Sequence, residues 1–135
     1  SYNLVFAVEA MIKPFSSGEG AIGRIVDKGA STNGFRLNMS TGKLIGFVEH
    51  RTTDAQAVTT ADVPLNVWSR VKMVYNRLGT QKIELYINGI LQALSTDTAG
   101  VSLLKADTDL PFIIGNNAAQ TATFEGQIAW VRVFK

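Results

Sequence analysis

Glutamates are the residues whose spacing would be most telling in this 135-residue chain, because glycoside hydrolysis uses two facing carboxylates. Side chains two residues apart share one face of a strand, so a catalytic pair on one strand would stand at i and i+2. No predicted strand has such a pair, and Glu9, Glu49, Glu84 and Glu125 are each alone on their strands. The one histidine, His50, has no serine and carboxylate that the sequence places beside it. We therefore predict that the protein is not an enzyme and keep an atypical glycosidase as the catalytic alternative.

Acidic and amide residues gather in the loops near the C-terminus. Asp107 and Asp109 stand two apart, and Asn116 and Asn117 follow the next predicted strand. Oxygen-rich sets of this kind suit Ca2+, which takes six to eight oxygen ligands. The competing interpretation is turn chemistry, in which Asp and Asn side chains bond to their own backbone. The sequence leaves both alternatives open and favours the second, because such residues are common in loops.

The composition excludes several classes of protein. There is no cysteine, so disulfides, thiolate chemistry and zinc–cysteine sites are absent. The net charge is only +2 and the 13 Lys and Arg residues are scattered, which argues against nucleic-acid and anionic-membrane partners. No apolar run reaches about 18 residues, so membrane insertion is not predicted. Hydrophobic residues at 46% with charged residues at 18% predict one globular domain spanning residues 1–135.

Apolar and polar residues alternate with period two along most of the chain, which is the pattern of half-buried strands. Residues 4–12, for example, place Phe6, Val8, Ala10 and Ile12 on one face. No segment keeps a helical period for roughly 11 residues or more, so an all-β antiparallel sandwich is predicted. The loops expected to present a binding surface are residues 16–23, 29–34, 50–62, 95–109 and 115–123.

The segment IELYINGIL, residues 83–91, predicts a hairpin. Its Asn-Gly pair is the strongest short hairpin signal, because a type I′ turn needs positive φ at both central residues. Alternation places Ile83, Leu85 and Ile87 in the core and turns Tyr86 outward.

Seven segments in order resemble the laminin-G-like and pentraxin-like jelly rolls of the concanavalin A-like lectin/glucanase superfamily. They are FAVEAMIKP, IVDKG, GFRLNMSTGKLIGFV, PLNVWSRVKMVYN, IELYINGIL, LPFIIGN and FEGQIAWVRVF. The resemblance implies two antiparallel sheets of roughly five to seven strands, an extracellular or cell- or virion-surface location, and a calcium site in some members. The sequence departs from the family pattern before Phe6, where another strand is usual. It also departs at Met11, where the family often has a tryptophan, and at Trp130, where the family often has an acidic residue.

The fold implied by this resemblance carries lectins, adhesins and glycosidases alike, so ligand-binding residues must be argued separately. Sugar sites combine aromatic rings with hydrogen-bonding groups, and aromatic rings suit such amphipathic ligands. If Val131 and Val133 are buried, Trp130 and Arg132 face outward, although Ile128 then requires a bulge. Trp68 is assigned to the core and Arg36 to the solvated surface. The predicted ligand-binding residues are Trp130, Tyr86, Phe47, Arg132, His50 and Arg51.

A second hypothesis follows from the apolar residues predicted to point away from the core. Met11, Ile45, Phe47, Val74 and Trp130 are expected to share one outward face. An apolar patch of this kind rarely stays bare in a monomer. The sequence therefore predicts a non-catalytic binding or adhesion module whose partner is a glycan. The alternative is a structural or oligomerisation domain that pairs with another copy or with another part of a larger chain.

Overall fold

The computed structural model describes residues 5–29, 33–106 and 110–134. Within them the chain forms a 3-10 turn at Glu19–Ala21 and eleven strands. The strands are β1 (Val5–Pro14), β2 (Ile22–Lys28), β3 (Phe35–Ser40), β4 (Lys43–Val48), β5 (Ala55–Asp62), β6 (Ser69–Asn76), β7 (Ile83–Ile87), β8 (Ile90–Leu91), β9 (Leu94–Thr98), β10 (Phe112–Ile114) and β11 (Gly126–Phe134). No helix in these ranges is long and apolar enough to cross a membrane.

Two antiparallel sheets stack face to face, as predicted. The five-stranded sheet has the order β11-β1-β6-β7-β8, and the six-stranded sheet has the order β10-β2-β3-β4-β5-β9. The core lies between them, where Val8, Ala10 and Ile12 of β1 are fully buried. Burial at every second residue is what the pleat of a strand requires, so the predicted inward faces of β1 and β7 are confirmed.

The Asn-Gly turn has the predicted backbone. Asn88 has a φ of 51° and Gly89 a φ of 80°, so both central residues occupy the left-handed region that a type I′ turn needs. The Asn88 side chain adds a bond, because its Oδ1 accepts from the backbone N–H of Arg70 at 2.8 Å. The turn is therefore fastened to β6 as well as closed on itself.

Two strands lie where loops were predicted. β5 falls inside residues 50–62, and β9 falls inside residues 95–109 apart from its first residue, Leu94. The inward positions of β5 are Ala55, Ala57 and Thr59, which are buried although none is large and apolar. Small and hydroxyl side chains give a weak hydrophobic signal, and here tertiary packing decides the strand.

The last strand confirms one prediction and corrects another. β11 pairs with β1 through Trp130 and then through Ile128, which leaves Ala129 as the bulged residue. The predicted bulge is therefore present. Val131 packs against the core, but Val133 is 46% exposed, so its predicted burial is wrong. Val133 points inward at an edge that the opposite sheet does not cover.

Trp68 is not part of the core, contrary to the prediction. Its side chain is 46% exposed. The buried positions of β6 are Ser69, Val71, Met73 and Tyr75, so alternation turns the preceding residue outward. The inward position that the aromatic ring was expected to fill is held by the small hydroxyl of Ser69.

The predicted apolar face is divided between two sheets. Met11, Val74 and Trp130 lie on the five-stranded sheet, whereas Ile45 and Phe47 lie on the six-stranded sheet. Alternation had assigned each of them correctly to an outward side. Their gathering on one face is wrong, because alternation states which way a side chain points and not which strands are neighbours.

Candidate functional site

The outward side of the six-stranded sheet carries a two-row array of side chains, which we call the six-strand face. In one row Arg24 lies beside Asn38, and in the next Asp27 lies beside Arg36, which lies beside Phe47. These residues point outward because Leu37 and Met39, the alternate positions of β3, are buried in the core. The members of the face are Arg24, Asp27, Arg36, Asn38, Ile45, Phe47, Gln56 and Val58, and Glu49 follows at the end of β4.

Hydrogen bonds and ion pairs fix the polar members of this face. Arg24 Nη1 donates to Asn38 Oδ1 at 2.9 Å, and Arg24 Nε lies 3.3 Å from Asp27 Oδ2. Arg36 Nη1 donates to Glu49 Oε1 at 3.1 Å, while Lys105 Nζ donates to Glu49 Oε2 at 3.3 Å. The network is therefore a chain of alternating charges.

Three polar residues of the network are buried although they face away from the core: Asp27, Asn38 and Glu49. Burial raises the pKa of Asp27, and the charges of Arg24 and Arg36 oppose that rise. Burial also lowers the pKa of Arg24, and the charge of Arg36 lowers it further. The ionised forms of Asp27 and Arg24 therefore stabilise each other. Such mutual dependence is typical of a polar network that is held in one geometry.

An aromatic ring stands next to this network. The guanidinium carbon of Arg36 lies 3.8 Å from the centroid of the Phe47 ring, a cation–π contact. Phe47 is partly exposed. The six-strand face thus combines an aromatic ring, a stacked guanidinium, an amide and two carboxylates.

Three of the predicted ligand-binding residues lie on the other outward side, which we call the five-strand face. Arg132 stacks over Trp130 with its guanidinium carbon 4.4 Å from the ring centroid, and Lys72 Nζ lies 4.8 Å from the centroid of Tyr86. The Tyr86 hydroxyl donates to Glu84 Oε2 at 2.8 Å, which raises the pKa of Tyr86. The structure places these three residues on one face and separates them from Phe47, but β1 and β6 lie between Tyr86 and the Trp130–Arg132 pair.

His50 is buried inside the sandwich, away from both faces. Its Nδ1 lies 2.9 Å from the carbonyl oxygen of Ser102, and its Nε2 lies 2.7 Å from the Tyr75 hydroxyl. A carbonyl only accepts, so Nδ1 carries a proton, and in the neutral imidazole Nε2 accepts from the Tyr75 hydroxyl. A side chain at Gly100 would collide with the ring. This placement is that of a structural histidine and removes His50 from the candidate site, whereas Arg51 is exposed in the adjoining turn.

The buried tyrosine predicts a loss of stability in alkali. Burial raises the pKa of Tyr75 to about 12, whereas an unfolded tyrosine titrates near 10. The folded state favours the neutral phenol of Tyr75. The contribution of this phenol to stability is therefore complete below the pKa of tyrosine in the unfolded chain, and it is lost as the pH rises to the pKa in the folded protein. We expect the free energy of unfolding to fall by roughly 2–3 kcal/mol between about pH 10 and pH 12.

Urea unfolding of the wild type, Tyr75→Phe and Tyr86→Phe at several pH values measures this loss. The Tyr75→Phe variant should show little of this decline, whereas Tyr86→Phe, which removes a partly exposed hydroxyl, should retain most of it. Equal slopes in all three proteins would contradict the assignment.

The predicted calcium ligands are only partly described by the structure. Asp107 and Asp109 lie outside the described residues. Asn116 Oδ1 accepts from the backbone N–H groups of Asn117 and Ala122, at 2.8 and 3.2 Å. Asn117 Oδ1 accepts from the N–H of Thr121 at 2.9 Å. Both amide oxygens thus accept the turn bonds that the competing interpretation expects, and no three His, Cys, Asp or Glu residues of the described ranges are grouped to hold a metal.

The order and pairing of the strands define a jelly-roll sandwich of the concanavalin A-like type. A laminin G family model, described as concanavalin A-like lectin/glucanases superfamily, matches residues 3–135. The chain belongs to this family. A search of curated protein sequences finds no significant match.

Solved structures show the same fold at low sequence identity. The carbohydrate-binding module CBM40 of the Ruminococcus gnavus IT-sialidase superposes with a TM-score of 0.70 at 19% identity, covering 96% of this chain and 75% of that one. A heptameric SAP-like pentraxin from Limulus polyphemus gives 0.67 at 16% identity, covering 96% and 63%. A candidate carbohydrate-binding protein from Bacteroides ovatus gives 0.68 at 21% identity, covering 99% and 38%. The chain thus spans less than two thirds of the length of the last two.

Sequence reasoning missed most of the six-strand face. It placed Arg36 on the solvated surface, yet the Arg36 side chain is only 19% exposed. Arg24 and Asn38 are not predicted as site residues, since each is a single polar residue within a strand. One sequence signal points to this face: β2 and β3, which are neighbouring strands, both carry charged residues at outward positions.

Proposed function

We propose that this chain is a non-catalytic carbohydrate-binding module that takes its glycan on the six-strand face. The observation that carries the proposal is Arg36, which stacks on Phe47 and is held by the buried carboxylate of Glu49. A sugar presents apolar C–H faces and a rim of hydroxyls. An aromatic ring covers the first, and fixed planar donors and acceptors bond the second.

Preorganisation is the physical reason to prefer this face. Its arginines are held by buried acceptors, so a ligand that bonds to them does not have to immobilise long side chains first. On the five-strand face Arg70 is 47% exposed and its ion pair with Glu9 spans 3.8 Å. Trp130, Tyr86 and Arg132 therefore form the competing site. It has a larger aromatic area, but its polar groups are held less firmly.

The comparisons support the ligand class. One of the solved structures is the carbohydrate-binding module of a sialidase, and another is described as a candidate carbohydrate-binding protein. Both share the fold with this chain at about a fifth of residues identical, so they bear on the kind of ligand and not on its identity.

A glycan array followed by titration calorimetry with the best glycan tests the proposal, using Phe47→Ala and Trp130→Ala as a matched pair. Truncating a central aromatic contact costs about 2 kcal/mol or more, so Phe47→Ala should weaken binding roughly thirtyfold or more. Trp130→Ala should change it less than about threefold. The reverse ranking would move the site to the five-strand face, and no glycan bound by the wild type would overturn the proposal.

The catalytic alternative has its own measurement. Asp27 and Glu49 are the two carboxylates of the six-strand face, and each is paired with a cation. We expect every bound glycan to remain intact after prolonged incubation. Hydrolysis that disappears in Asp27→Asn and Glu49→Gln would show instead an atypical glycosidase.

A further inference from the structure

β11 is an edge strand with nothing on its outer side among the described residues. It covers Gly126–Phe134, nine residues, and its backbone pairs with β1 alone. The other three sheet edges are shorter: β8 has two residues, β10 has three and β9 has five. A long unpaired edge offers a row of N–H and C=O groups to another strand.

Little in β11 guards this edge. Native edges are protected by prolines, by bulges or by charges that stand along them. The bulge at Ala129 lies before the straight part of the strand, and Trp130–Phe134 pair with β1 without interruption. The one charge in that part, Arg132, is stacked on Trp130. Val133 and Phe134 are 46% and 48% exposed, and a strand added at this edge would cover them.

We propose that β11 pairs antiparallel with β11 of a second copy, so that two five-stranded sheets become one sheet of ten. Antiparallel pairing of identical strands about a two-fold axis is a self-complementary contact, which closes after two copies. Three registers keep the faces matched near the middle of the straight part, with Val131, Arg132 or Val133 on the two-fold axis. A register centred on Val133 would pair only Arg132–Phe134 of β11, which ends there. A register centred on Arg132 places it opposite Arg132 of the second copy, where like charges repel.

The register that we assign places Val131 on the two-fold axis. Val131 then faces Val131 of the second copy, and each Trp130 faces the partner's Arg132. The same two side chains already make a cation–π contact within β11, at 4.4 Å. A second ring on the other side of each guanidinium extends that contact across the axis. The six-strand face lies on the other sheet, so glycan binding and dimerisation are separable.

Sedimentation equilibrium over micromolar to millimolar concentration tests the dimer, with Val133→Lys and Leu78→Lys compared. An inward-pointing charge at a sheet edge blocks strand addition, so Val133→Lys should raise the dimer dissociation constant by at least about tenfold. Leu78, an exposed leucine in the turn between β6 and β7, should tolerate the same change without effect. Thermal unfolding confirms that both variants fold. A wild type that stays monomeric throughout, or a Val133→Lys protein that dimerises normally, would overturn the proposal.

The register is tested by cross-linking, because the chain has no cysteine of its own. Directly opposed side chains have Cβ atoms about 4.5–5.5 Å apart, so Val131→Cys should be joined in high yield by a short bis-maleimide. Val133→Cys is the control, since the two copies of that residue would be about 13 Å apart along the strands. Efficient cross-linking of Val133→Cys with none of Val131→Cys would overturn this pairing.

Discussion

Replacing Arg36 with methionine is expected to lower the free energy of unfolding by about 3 kcal/mol, the cost of stranding one partner of a buried ion pair. Glu49 is only 4% exposed, and Arg36 Nη1 is 3.1 Å from its carboxylate. Methionine keeps much of the aliphatic bulk but removes the charge and the donors. Lys105 remains as a partner at 3.3 Å, which keeps the loss within this range.

Lys43→Met provides the matched control, because Lys43 pairs with Asp62 at 2.6 Å on the surface, where the side chains are 33% and 68% exposed. Exposed pairs are worth about 0–1 kcal/mol, so this change should cost much less despite the shorter distance. Urea unfolding of both variants measures the difference, and Arg36→Met with Glu49→Gln completes a double-mutant cycle. Equal losses at the two sites would mean that burial does not govern the strength of these pairs.

Replacing His50 with alanine is expected to cost about 3 kcal/mol of stability or more. The substitution leaves the Tyr75 hydroxyl and the Ser102 carbonyl without their partner and opens a cavity between them. It also releases the segment that begins at Gly100, whose backbone packs directly on the imidazole ring. That segment carries Lys105, so the effect should reach the six-strand face.

Arg51→Ala is the control for the histidine, since it alters the next residue, which is exposed. It should change the free energy of unfolding by less than about 0.5 kcal/mol. Chemical unfolding at neutral pH measures both. The role assigned to His50 would be wrong if both substitutions cost the same, or if His50→Ala left stability unchanged.

The two outward faces have different physical characters, and each favours a different kind of binding partner. The six-strand face has buried polar groups fixed by one another, a property that favours a defined small ligand. The five-strand face and the β11 edge have exposed side chains and unpaired backbone, properties that favour contact with a polypeptide. The fold therefore divides the residues predicted to bind a partner between two surfaces, and each surface has its own test.

Alternation determined much of this structure before any tertiary contact was known. It placed Val8, Ala10 and Ile12 inward, turned Tyr86 outward and required the bulge beside Ile128. The Asn-Gly pair predicted the left-handed backbone of the hairpin turn. These features depend on neighbours in sequence, because the pleat of a strand and the twist of a hairpin are local. The ordered segments also sufficed to indicate the laminin-G-like sandwich, which the family match bears out.

Only the tertiary structure decided which outward residues meet. Phe47 and Trp130 both point outward, yet they lie on different sheets because β4 and β11 are assigned to different layers. Arg36 and Glu49 are on different elements, and their pairing depends on the register of β3 with β4. Burial of His50 depends on Tyr75 and Ser102, which are far away in the chain. Contacts of this kind depend on strand order, which a period-two pattern does not contain.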